Sequence, residues 1–162
     1  MKRKISVGLC TGLVVLSLVG CSSTNKEEEV SKTDVPVSEQ SLEMKDGVYE
    51  AETKEADEQG GKAIATIKVE GGKVVEATYN EFNDNGNKRD NKEYNEMMKE
   101  KAGTNPSEFE PQIEKQIEDA QSAEIDGVSG ATGSSSKAKQ LFKAAFNNAN
   151  KGKAEKELVE IK

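Results

Sequence analysis

Lys62-Ala63-Ile64-Ala65-Thr66-Ile67-Lys68-Val69-Glu70-Gly71-Gly72-Lys73-Val74-Val75-Glu76-Ala77-Thr78-Tyr79-Asn80-Glu81-Phe82 decides the fold class. Ala63, Ala65, Ile67 and Val69 alternate with more polar positions, the period of a half-buried strand. Gly71-Gly72 is a two-residue turn that favours a tight hairpin. Lys73 to Phe82 then reads as the return strand, with Val75, Ala77 and Tyr79 on one face. A sheet with one polar face is antiparallel by preference, so its other face needs helices or a second sheet.

Upstream, Gly47-Val48-Tyr49-Glu50-Ala51-Glu52-Thr53 predicts a first strand. Downstream, Asn83-Asp84-Asn85-Gly86-Asn87 is a loop signal, and the pattern turns helical. Lys92 to Lys101 places Tyr94, Met97, Met98 and Lys101 at i, i+3, i+4 and i+7, and Gly103-Thr104-Asn105-Pro106 stops it. Ser107 is expected to cap a helix from Glu108 to about Gln121, with Phe109, Ile113 and Ile117 inward. A last helix is expected from Ser135 to about Asn148, burying Ala138, Leu141, Phe142, Ala145 and Phe146. The result is an α+β fold: a small antiparallel sheet with helices packed against it. Aromatic residues are 4% of the chain, so the core is small and largely aliphatic, and Tyr49, Tyr79, Phe82 and Tyr94 are read first as core.

The first 45 of the 162 residues have another character. Met1-Lys2-Arg3-Lys4 is basic, and Ile5 to Gly20 is apolar but too short and interrupted for a membrane span. A basic head, a short apolar middle and a small residue at the cut make a secretory signal, residues 1–20. Leu18-Val19-Gly20-Cys21 resembles a lipobox, which implies cleavage before Cys21 and lipidation of its thiol. Residues 21–45 form a charged, Ser/Thr-rich tether that cannot bury enough surface to fold. The expected organisation is therefore signal 1–20, lipidated tether 21–45, one domain at 46–150 and a tail at 151–162, in which Leu158 and Ile161 alternate weakly and which either frays or adds a short element.

The inventory narrows function. The chain has no histidine and no tryptophan, so histidine-ligated metal, haem and triad chemistry are excluded. Removing the signal leaves 20 basic residues against 30 acidic, a net charge of −10, which disfavours nucleic acid. Cys10 leaves with the signal and Cys21 takes lipid, so the domain keeps no thiol and no disulfide. Glu108, Glu110, Glu114, Glu118 and Asp119 read as a solvated acidic face.

Chemistry concentrates in Asp126-Gly127-Val128-Ser129-Gly130-Ala131-Thr132-Gly133-Ser134-Ser135-Ser136, a glycine- and hydroxyl-rich loop feeding a helix. Unpaired N–H groups and the positive end of the helix dipole stabilise an anion there. Gly127, Gly130 and Gly133 allow close backbone approach, and Thr132 sets a hydroxyl in that field. The loop is suited to hold a phosphate or to be esterified by one. No lysine stands where a P-loop needs it. The bland alternative is a linker with Ser134 or Ser135 as helix cap.

Ser129-Gly130-Ala131-Thr132, with Asp126 three residues before the serine, resembles the flavinylation motif of FMN-binding domains, a family that includes subunits of the sodium-translocating NADH:quinone reductase and a related electron-transport complex. Asp46-Gly47-Val48-Tyr49 resembles the family's opening, and Tyr79 to Asn83 and Tyr94 to Met98 are similar to Gram-positive surface lipoproteins of the family. The resemblance implies a single FMN-binding domain in which a flavin transferase esterifies FMN to Thr132, with Asp126, Ser129, Gly130 and Ala131 presenting it. It also implies an electron carrier rather than an enzyme, lipid-anchored on the outer membrane face and fed by a membrane NADH dehydrogenase or quinone pool. The motif does not assign the flavin ring contacts; Tyr79 and Phe82 are candidates. Two other readings stand beside it: release of Leu13 to Gly20 as a hydrophobic pheromone octapeptide, and a binding lipoprotein without flavin.

Overall fold

The Gly71-Gly72 hairpin forms as expected, with φ of +59° and +74°, the pair of positive values that a type I′ turn requires and glycine supplies without strain. The computed structural model describes residues 43–58 and 60–162; the signal, Cys21 and the tether as far as residue 42 lie outside them. Within them the chain runs β1 (Gly47–Thr53), β2 (Lys62–Glu70), β3 (Lys73–Asn83), β4 (Gly86–Asn87), a 3-10 turn (Lys88–Asp90), α1 (Lys92–Ala102), α2 (Pro106–Ala120), α3 (Thr132–Lys151) and β5 (Glu157–Val159). The strands form one sheet in the order β4-β3-β2-β1-β5. Neighbours are antiparallel except β5, which joins β1 in parallel, so the sheet is mixed.

α3 packs across β1 and β2, and α2 along β3. The sheet's inner face contributes Tyr49, Ala51, Ala63, Ala65, Ile67, Val69, Val74, Ala77 and Tyr79 to the core. The helices return Phe109, Ile113, Ile117, Leu141 and Phe142. Most of the strand residues are alanine or valine, which lets the two helices sit close on the sheet.

Four sequence expectations need correction or a decision. Val75 is exposed and Val74 is buried, because the register passes from Lys68↔Glu76 to Val69↔Val74: a β-bulge on β3 inserts one residue and reverses the alternation. The α2 cap is Asn105, whose side chain accepts the Glu108 N–H at 3.1 Å, and Pro106 follows at the first helical position; Ser107 is not the cap. Of the two readings of the tail, the added short element holds and the frayed end does not: α3 continues to Lys151 and Glu157–Val159 pairs with Ala51–Thr53. The fourth concerns the acidic face. β4 covers only the end of β3, leaving most of that edge open. Gln121, Glu118, Glu114 and Glu110 accept the N–H groups of Val74, Ala77, Tyr79 and Glu81 at 2.8–3.0 Å. Three α2 carboxylates, one per turn, thus serve as a substitute strand.

Candidate functional site

Ile125 is buried and anchors the loop, and the Asp126 N–H donates to Gln116 Oε1 at 2.7 Å. Val128 to Ala131 forms a tight turn closed by the Ala131 N–H on the Val128 carbonyl at 3.0 Å. Its third residue, Gly130, has φ +78°. A β-carbon there would lie 2.2 Å from the Ala102 carbonyl oxygen, so the loop is pressed against the end of α1. Gly127 and Gly133 face open space. The requirement for glycine that the sequence spread over three positions therefore falls on Gly130.

α3 starts at Thr132, three residues before the expected Ser135. Ser135 is not its cap. Its hydroxyl is buried, accepts the Val128 N–H and donates to the Ala131 carbonyl, both at 2.9 Å, locking the loop onto the first turn. No side chain caps the helix and no acidic residue stands in its first turn. Ala131 is buried, whereas Asp126, Ser129, Gly130 and Thr132 are exposed. Thr132 is thus exposed as the first residue of a 20-residue helix, at the positive end of its dipole.

Beneath this turn lies a charged cluster that the sequence reading missed. The Tyr79 hydroxyl is shared between Glu81 Oε1 at 2.9 Å and the Ser134 carbonyl at 3.3 Å. Glu81 takes Lys88 Nζ at 3.2 Å and has Lys137 Nζ at 3.7 Å, which also reaches Asp57 at 3.4 Å. Burial works against the Glu81 charge, but Lys137, the Ser134 hydroxyl and Lys88 outweigh it and hold the carboxyl below its ordinary range. Burial and the adjacent carboxylate push the Tyr79 phenol well up, so it stays a donor. The alternation Ala77, Tyr79, Glu81 carried the signal, for it places a carboxylate on the inner face.

Tyr79 is fully buried, its ring centroid 6.3 Å from that of Phe142, and Phe82 alternates onto the opposite face of the sheet from α3. Neither is placed to line an exposed site at Thr132. A cavity of about 750 Å³ is lined by Arg89, Asn95, Lys99, Asn105 and Ser107, and one of about 390 Å³ by Thr53, Asp57, Lys137 and Ile161; Thr132 lines neither. Among the described residues no group of three or more metal-ligating side chains could hold an ion, and no helix is long and apolar enough to cross a membrane.

No family model matches the chain. It is 29% identical over 111 residues to the 15 kDa lipoprotein of Treponema pallidum, covering 67% of this chain and 79% of that protein. A solution structure of a Clostridium thermocellum protein aligns at 25% identity with a TM-score of 0.40, over 70% of this chain and 95% of that one. The crystal structure of the CPE2226 protein from Clostridium perfringens aligns with a TM-score of 0.72 at 47% identity, over 74% of this chain and 99% of that one. At that identity and coverage the present chain and CPE2226 are homologues with a common fold.

Proposed function

We propose that this protein is a membrane-anchored lipoprotein that carries electrons on the outer face of the membrane by means of FMN esterified to Thr132. The observation that carries the reading is the Asp126…Ser129-Gly130-Ala131-Thr132 motif with its threonine exposed on the first turn of α3. Similarity to a protein named a lipoprotein supports the anchor, as do the lipobox-like residues before Cys21.

The residues present fit the group. Thr132 offers an accessible hydroxyl, to which a flavin transferase would join the FMN phosphate of FAD, releasing AMP. The uncapped N–H groups of α3 favour the phosphodiester charge, and the absence of acid in the first turn leaves that field unopposed. Gly130, seated on Ala102, and Ser135, tied to Val128 and Ala131, hold the backbone around Thr132. Bound FMN supplies one- and two-electron redox chemistry. Covalent attachment keeps it with the protein outside the cell, between a membrane NADH dehydrogenase or quinone pool as donor and an external acceptor such as ferric iron.

The test is intact mass with in-gel flavin fluorescence on the mature chain, made with and without a flavin transferase. A transferase-dependent mass gain of one FMN, mapped to the Thr132 peptide and lost in Thr132→Ala, is expected. An unmodified chain beside a control substrate that is modified overturns the reading.

A further inference from the structure

The helical stripe of α1 stands out because the fold covers it only in part. Asn95 is the helix's buried residue; its amide donates to the carbonyls of Lys88, Arg89 and Asn91 and accepts the Ser107 N–H. Tyr94 and Met98 are only half-buried, and Met97 is 40% exposed. An apolar Tyr–Met–Met surface is unusual where no core requires it.

Both ends of that stripe border the start of α3. At one end Gly130 is seated on the Ala102 carbonyl, one turn beyond Met98. At the other, Lys88 Nζ stands 5.9 Å from the centroid of the Tyr94 ring while paired with Glu81. Glu81 and Ser134 share the Tyr79 hydroxyl. Thr132, exposed, lies in the chain between Gly130, which touches the end of α1, and Ser134.

Resting on the reading of Thr132 as the attachment point, we propose that the Tyr94–Met98 face of α1, with Lys88 beside Tyr94, is the seat of the flavin's flat ring system. The chemistry suits it. A tyrosine ring offers a stacking surface, and thioether side chains adapt to an aromatic edge. Lys101, exposed on the same stripe, offers a cation to the electron-rich reduced ring. A ring tethered two residues from Gly130 needs no diffusion to find this face.

The experiment uses the full mature chain flavinylated on Thr132, with flavin content fixed by intact mass. Iodide quenching of flavin fluorescence reads whether the ring is shielded. The wild-type ring is expected to be quenched less than free FMN, and Tyr94→Leu and Met98→Ser each to raise the quenching slope toward that of free FMN, by about two- to tenfold for a lost ring contact. Met98→Ser touches no ion pair, so it separates loss of the seat from any disturbance of Lys88. A fully modified chain whose ring is as accessible as free FMN, or is unaffected by both substitutions, overturns the seat, leaves the carrier reading standing and assigns the stripe to a protein partner. A chain that an active transferase does not modify overturns both.

Discussion

Replacing Gly130 by alanine imposes two costs at once. A residue with a β-carbon in left-handed backbone at φ +78° is disfavoured by about 1–2 kcal/mol. The new β-carbon would also lie 2.2 Å from the Ala102 carbonyl oxygen and 3.0 Å from Thr104 Cγ2, where real β-carbons essentially never come within 3.0 Å. The main obstacle is backbone at the end of a helix and cannot rotate away, so the loop or α1 must shift by nearly an ångström, at an overpacking cost of about 1–3 kcal/mol. Together Gly130→Ala is expected to destabilise the domain by about 2–5 kcal/mol, lowering its urea midpoint by roughly 1 M or more. The neighbouring glycines are the internal control. Gly133 lies in the first turn of α3 and Gly127 just before the turn, both facing open space and neither at positive φ. Gly133→Ala is expected to stabilise by about 0.5 kcal/mol through helix propensity, and Gly127→Ala to change little. Urea unfolding followed by circular dichroism measures all three. A Gly130→Ala variant within about 0.5 kcal/mol of wild type, or a Gly133→Ala variant that loses as much, refutes the assignment of the constraint to the Ala102 contact.

Glu110 is fully buried, and burial, only partly offset by the Glu81 N–H and Arg89, pushes its carboxyl up to about 7 from 4.5. A raised acid contributes stability that is present below the unfolded value and lost as pH rises through the folded one. The domain is therefore expected to lose up to roughly 3 kcal/mol between pH 4.5 and 7 from this group, and Glu110→Gln to flatten that slope in pH-dependent unfolding; equal slopes would contradict it. Tyr79→Phe removes the hydroxyl shared by Glu81 and Ser134 and is expected to cost about 1–2 kcal/mol in urea unfolding, and an unchanged midpoint would refute the cluster's role. Deleting residues 157–162 removes β5 and the packing of Val159 and Ile161 on the core, with an expected loss of about 2 kcal/mol; a truncated chain as stable as the intact one would show β5 to be dispensable.

Local chemistry made most of the architecture legible. The bounds of β1 follow from one alternating run, the hairpin from Gly71-Gly72, and the buried faces of α2 and α3 from their apolar spacing. What escaped depends on partners distant in the chain. Nothing in Val74-Val75 says which valine faces inward until the bulge opposite Val69 is known. Leu158 alternates too weakly to declare a strand, and β5 exists because β1 offers an open edge. The stripe of α1 had the right period but not a core destination: Asn95 makes the anchoring bonds, while Tyr94 and Met98 stay half-buried and Met97 is exposed. In the loop, the placement of Thr132 near a helix start was readable, but the reason for Gly130 lay in a carbonyl 28 residues away.

The α2 carboxylates change how the charge of this protein bears on its site. Counted as sequence, Glu110, Glu114 and Glu118 add to a net charge that would oppose any phosphate. In the fold, each accepts a β3 N–H, and Arg89 holds Glu110 and Glu114 at 2.6 Å each. Their charge is spent along the edge of β3, while Glu81 is flanked by Lys88 and Lys137. An acidic chain can therefore present an unopposed helix N-terminus at Thr132, because its interior acids are neutralised by backbone and lysine before their field reaches the loop. Adding one carboxylate at the start of the second turn of α3 breaks that arrangement without touching the core. Ser136 is exposed there, and Ser136→Glu is expected to leave the unfolding free energy in urea within about 0.5 kcal/mol of wild type. It is also expected to slow transferase-dependent modification of Thr132, since an anion in the first or second turn competes for the dipole by about 0.3–1 kcal/mol. Modification at the wild-type rate would mean that the helix field plays no part in presenting Thr132.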